Sequence, residues 1–160
     1  MCIRDRPTPE QITLSVLGAA RHVQRFGVNP VIALCARSQF GNIEGGTGQR
    51  AREALKLLNE MDLDFQFDGE MNIDTALDPV LRDRILPSNR LSGEANVLIF
   101  AHADAASGVR NIIKMRAGGL EVGPILMGMK NKAHIVTPSI TARGLLNMAA
   151  IAGTPVTEYG

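Results

Sequence analysis

Apolar residues recur at two alternating periods along this chain, and the alternation predicts a layered α/β fold. Ile12, Val16, Ala19, Ala20, Val23 and Phe26 fall at helical spacing, the period of one buried helix face. Before them, Thr8-Pro9-Glu10-Gln11 supplies an N-cap, a proline for the first helical position and a capping-box glutamine. Gly27 stops the run, and Pro30 leads into Val31-Ile32-Ala33-Leu34-Cys35. A short continuous apolar run between helices is the pattern of a strand buried on both faces.

The pattern then repeats. Gly41 to Gly48 predicts a flexible loop, and 50–59 a helix with Ala51, Ala54, Leu55 and Leu58 inward. Phe65 and Phe67 predict a short strand over 64–67. A helix is expected over 74–85, which Pro79 breaks or restarts from an Asp78 cap. Asn96 to Ala101 is the clearest buried strand. A helix over 105–116 ends at Gly118-Gly119, and 123–128 and 134–136 are strand candidates. A final helix over 141–152 stops at Gly153 and Pro155. Helices and strands alternating at this spacing predict a three-layer α/β/α arrangement on a mostly parallel sheet. The opening Met1 to Arg6 fits neither period, and 1–8 are expected to form a non-native or disordered tail.

Composition narrows the functions. The chain has 160 residues, 17 basic and 16 acidic side chains, and a net charge of +1. There is no basic excess to neutralise phosphates, so nucleic-acid binding would lack its main affinity term. Aromatics are 4% of residues, too few to build a stacking platform. No apolar run nears the ~18 residues of a membrane span, and no secretory signal opens the chain. A cytoplasmic location without membrane or nucleic-acid partners is therefore expected. Cys2 and Cys35 make no disulfide framework, and Cys35 is expected to pack as a small hydrophobe.

Candidate chemistry is sparse. The Gly41-to-Gly48 loop could cradle an anion at the next helix's start; an ordinary surface loop accounts for it equally simply. Asp62, Asp64, Asp68, Glu70 and Asp74 cluster around a strand but fit no calcium-loop spacing, so solvated strand-end residues are the expectation. His22, His102 and His134 stand apart, without a zinc-site pattern. His102 follows the best strand, at the carboxyl edge where α/β sheets bind ligands, although a plain surface role suffices. Ser38, Ser92 and Ser139 lack triad partners. Thr137-Pro138-Ser139-Ile140-Thr141-Ala142-Arg143-Gly144 is dense in hydroxyls and sets one arginine near a helix start. That suits a phosphate or another anion; a capped helix with a solvated arginine explains it as well.

Three longer segments carry a family resemblance. They are Phe67-Asp68-Gly69-Glu70-Met71 with Asp74-Thr75-Ala76-Leu77, then Leu91-Ser92-Gly93-Glu94-Ala95-Asn96-Val97-Leu98-Ile99-Phe100, then Gly123-Pro124-Ile125-Leu126-Met127-Gly128. In order and spacing they resemble the phosphate acetyl/butyryl transferases, or phosphotransacetylases, from about Ile12 to Ala152. Within that family the chain is most similar to the C-terminal phosphotransacetylase-like region of bacterial NADP-dependent malic enzymes. Ala19-Ala20-Arg21-His22-Val23, Ser38-Gln39-Phe40-Gly41, Ile135-Val136-Thr137-Pro138-Ser139 and Arg143-Gly144-Leu145-Leu146-Asn147-Met148 carry that similarity.

The resemblance implies an isocitrate/isopropylmalate dehydrogenase-like lobe. Residues 9–136 would be the second phosphotransacetylase lobe and 137–160 the start of the return into the first. NADP and a divalent metal would belong to a malic-enzyme part outside this chain. Acetyl-CoA or CoA would be the ligand, and a homo-oligomer the assembly. Arg143, with Thr137, Ser139, Thr141 and Gly144, would hold the acyl-CoA or phosphate. The departures are as informative. Active members carry Asp and Ser before the Arg-Gly pair and another Asp soon after it. Here stand Thr141, Ala142 and Ala149, and alanine can neither hydrogen-bond through its side chain nor accept a proton from a thiol. The family's Asn-Leu-Asp-Ala is also changed, to His102-Ala103-Asp104-Ala105. The resemblance therefore leaves three readings: an acetyl-CoA-responsive regulatory lobe, part of an active phosphate acetyltransferase, or a ligand-free oligomerisation lobe.

Overall fold

A computed structural model describes residues 6–118, 121–128, 133–138 and 140–154. They fall into two compact units, one ending at Val109 and the other beginning at Arg110.

The first unit is organised by one strand. β1 (Val31–Cys35) lies in the middle of a three-stranded parallel sheet, flanked by β2 (Gln66–Met71) and β3 (Val97–Phe100). Ile32 and Leu34 face one layer, with Ile12, Val16 and Ala20 of α1 (Pro9–Gln24) and Ala51, Ala54, Leu55 and Leu58 of α2 (Gly46–Asn59). Ala33 and Cys35 face the opposite layer, with Met71, Leu91, Ala95 and Ala76 of α3 (Ile73–Leu77). Alternate side chains of a strand point to opposite faces, so a run apolar at every position serves two cores. Each fully buried branched side chain there contributes roughly 1.5–3 kcal/mol. Burial also pushes the Cys35 thiol up to about 12.

The local signals act as expected. Thr8 and Gln11 close the capping box of α1. Asp78 caps α4 (Pro79–Ile85), accepting from the amides of Val80 and Leu81 at 2.9 and 3.1 Å. The expected break at Pro79 is present: the helix is two segments, separated at Asp78, the residue before Pro79, where proline disfavours helical backbone. Asn96 ties the two strand starts together: its side chain accepts from the Val31 amide and donates to the Asn29 carbonyl.

Several boundaries differ from the periodicity. α2 starts at Gly46 rather than 50, because a glycine at Gly45 with φ 73 turns the chain directly into the helix. β2 runs from Gln66 to Met71 rather than 64–67, since the register with β1 carries pairing through Gly69 and Met71. α5 (Ala103–Arg116) begins two residues earlier than expected.

In the second unit, α6 (Ala142–Gly153) forms close to its expected bounds under a Thr141 cap. The strand candidates 123–128 and 134–136 form no strand; a strand needs a neighbouring backbone to pair with, and among the described residues none is offered. Arg110 and Lys114 instead hold Glu121 at 2.9 and 2.8 Å, and the Lys114 hydrogen bond, aided by the Arg110 charge, lowers that carboxyl below its ordinary range.

Candidate functional site

Two polar arrangements result, one in each unit. The first lies at the carboxyl edge of the parallel sheet, where α/β folds bind ligands. Asp68 and Glu70, two apart on β2, are both buried, and the register with β1 shifts between Gly69 and Met71, leaving Glu70 as the unpaired residue. Glu70 Oε1 accepts from the Ser38 hydroxyl, from the Gly41 amide at 2.9 Å and from Arg52 Nη1 at 2.7 Å. The Glu70 carbonyl also accepts from the Phe40 amide at 2.7 Å. Glu70 Oε2 is buried and takes no hydrogen bond from the described residues. Gly48 is required beside this cluster, because a Cβ there would stand 2.7 Å from Ser38 Cβ.

Asp68 accepts from the Gly69 and Arg90 amides at 2.9 and 2.8 Å and pairs with the Arg90 guanidinium at 3.5 Å. Arg90 also lies over the Phe67 ring, 4.9 Å from its centre. The expected solvated acidic cluster is therefore corrected at Asp68 and Glu70. The longer β2 draws both into the sheet, and each is neutralised by an arginine, as buried carboxylates require. Asp64 instead meets Gln24 and Asp74 accepts from its neighbour Thr75, so the five carboxylates do not converge. Among the described residues no His, Cys, Asp and Glu group could hold a metal ion. Beside Arg52, an open depression of about 600 Å³ is lined by Glu44, Gly45, Gln49, Arg52, Glu53 and Lys56.

The second arrangement holds the residues singled out in the sequence. Thr141 Oγ1 accepts from the Gly144 amide at 3.0 Å, and its carbonyl accepts from the Leu145 amide. Arg143 lies in that first turn, exposed, without an ion pair among the described residues. Thr137 is exposed and its carbonyl accepts from the Ile140 amide at 3.0 Å. Gly144 packs tightly, a Cβ there falling 3.0 Å from Ile140. Ser139 lies outside the described residues. Thr141, Arg143 and Gly144 are thus brought together on one helix start. An unspent guanidinium beside a helix N-terminus suits a phosphate or another anionic oxygen. Ala142 and Ala149 are exposed near it and provide no proton acceptor.

Periodicity missed the Ser38–Arg52–Glu70 cluster. Its signal was partial: carboxylates set between Phe67 and Met71 need cationic partners once buried, but the register shift between Gly69 and Met71 breaks the two-residue alternation that would assign them a face.

The model of the phosphate acetyl/butaryl transferases matches residues 1–153, and this chain belongs to that family. An NAD-dependent malic enzyme of Rhizobium meliloti is 42% identical over 146 residues, which cover 91% of this chain and 19% of that protein. The NADP-dependent malic enzyme of Salmonella typhimurium is 36% identical over 151 residues, 94% of this chain and 20% of that protein. The phosphate acetyltransferase of Corynebacterium glutamicum is 29% identical over 150 residues, 93% and 45% of the two. In structure, the chain is similar to a phosphotransacetylase from Streptococcus pyogenes, with a TM-score of 0.87, 22% identity, and 94% of this chain on 46% of that one. The chain therefore spans about a fifth of the malic enzymes it matches and just under half of these two transferase chains. No helix among the described residues is long and apolar enough to cross a membrane.

Proposed function

We propose that this chain is the acetyl-CoA-responsive regulatory and oligomerisation lobe of a malic enzyme that turns malate into pyruvate and CO2. The observation that carries this reading is the state of the α6 start. The anion-binding arginine is kept and unpaired among the described residues, while Ala142 and Ala149 leave a coenzyme A thiol without a base to deprotonate it. Such a site can hold an acyl-CoA but not turn it over. Similarity to malic enzymes over more than nine-tenths of the chain supports that parent. NADP and the divalent metal belong, in this reading, to the malate-converting part of the parent.

Titration of acetyl-CoA into a protein carrying both phosphotransacetylase lobes tests it. Saturable binding is expected, weakened roughly ten- to hundredfold by Arg143→Ala through loss of a charge-assisted hydrogen bond. Absence of binding at millimolar acetyl-CoA overturns it. The match to phosphate acetyltransferases favours a second reading, an active transferase. That reading expects acetyl phosphate from acetyl-CoA and phosphate, with activity lost in Arg143→Ala.

A further inference from the structure

We propose that the segment between β1 and α2, residues 36–45, is a latch across the carboxyl edge of the sheet, with Glu70 as its principal fastening. The segment leaves β1 and crosses onto β2: the Ala36 amide bonds the Met71 carbonyl at 3.0 Å and the Phe40 amide the Glu70 carbonyl at 2.7 Å. Its Ser38 hydroxyl and Gly41 amide both end on one oxygen, Glu70 Oε1. Arg52, on α2, reaches the same oxygen and also lies 3.5 Å from the Ile43 carbonyl. One carboxylate therefore gathers contacts from both sides of the segment.

Two features oppose these bonds. Glu70 Oε2 is buried without a protein hydrogen bond among the described residues, and an unpaired buried acceptor gains by meeting water. Phe40 has φ 47, a conformation that bulky residues rarely adopt. Both are relieved when the segment lifts. Gly41 and Gly45 have positive φ and open space around them, so the backbone can swing at both places. Favourable bonds and unfavourable burial meet on the same side chain, which makes the closed position poised rather than locked. Lifting would uncover the sheet edge where ligands of α/β folds bind.

Native-state amide exchange on the whole chain tests the latch. In the unmodified protein, the Phe40 and Gly41 amides should exchange through a local opening, at least about tenfold faster than the β1 amides. Glu70→Gln should speed Phe40 and Gly41 by about a further tenfold while β1 and the core of α2 keep their rates. Ser38→Ala keeps the carboxylate and the arginine pair and removes one donor, so a smaller acceleration confined to the same amides is expected. Equal protection of Phe40, Gly41 and β1 in the unmodified protein overturns the proposal. So does uniform acceleration of all amides in Glu70→Gln, or unchanged Phe40 and Gly41 rates in Ser38→Ala. If Glu70→Gln does not fold, the unmodified protein and Ser38→Ala decide.

Discussion

Arg82 on α4 and Arg143 on α6 carry the same charge in opposite circumstances. Arg82 is fully buried. Its Nε donates to Asn89 Oδ1 at 2.9 Å, and its two other nitrogens to the carbonyls of Thr75, Ala76, Leu91 and Gly93. Five acceptors meet the five N–H groups a guanidinium carries, so nothing is left for a ligand. Arg143 is exposed, and its side chain has no hydrogen bond or ion pair among the described residues. One arginine ties α3, α4 and the approach to β3 into a knot; the other leaves its donors exposed. Donor satisfaction, rather than charge or helix position, is what separates an arginine spent on the fold from one whose donors are free to meet solvent or a ligand.

Arg82→Ala strands four backbone carbonyls, which should cost about 3 kcal/mol or more; urea denaturation would measure it, and a loss below 1 kcal/mol would show the knot to be dispensable. Gly48→Ala pushes a methyl into Ser38, with an expected loss of roughly 1–3 kcal/mol from overpacking, read as a lowered thermal midpoint. Arg143→Ala should change stability by less than about 0.5 kcal/mol, although the proposed function expects the same substitution to weaken acetyl-CoA binding. A larger loss of stability would mean Arg143 is structural after all.

The smallest effects are chemical. Glu121 has its carboxyl lowered by Lys114 and Arg110. Its contribution is present above the ordinary carboxylate range and lost as pH falls through the lowered value. Lys114→Ala should flatten that acid dependence slightly, as unfolding measured against pH would show. Cys35, with its thiol pushed up to about 12 by burial, should resist alkylation at pH 8 until the chain unfolds. Peptide mapping after labelling reads this residue separately from Cys2.

Periodicity and caps located α1, the α3/α4 break and α6, because each depends on residues only a few apart along the chain, and β1 and β3, because each is a continuous apolar run whose burial is written in its own composition. Thr8, Asp78 and Thr141 are local devices of this kind, and each acts as its neighbourhood suggests. The longer β2 was hidden, since Asp68-Gly69-Glu70 reads as a turn until β1 pairs alongside it. The resemblance to phosphotransacetylases was legible in segments spread along the chain, and so were the alanines at 142 and 149 beside Arg143.

By itself, then, the sequence determined the layered α/β class, the central buried strand and the family, since these follow from apolar spacing and contiguous motifs. Only the tertiary structure decided which charges are spent. Arg52 meets Glu70 across 18 residues, Arg90 meets Asp68 across 22, and Arg82 finds carbonyls on two segments, α3 and the loop before β3. Hydrogen-bond partners are chosen by proximity in space, and proximity at such separations exists only after the chain has folded.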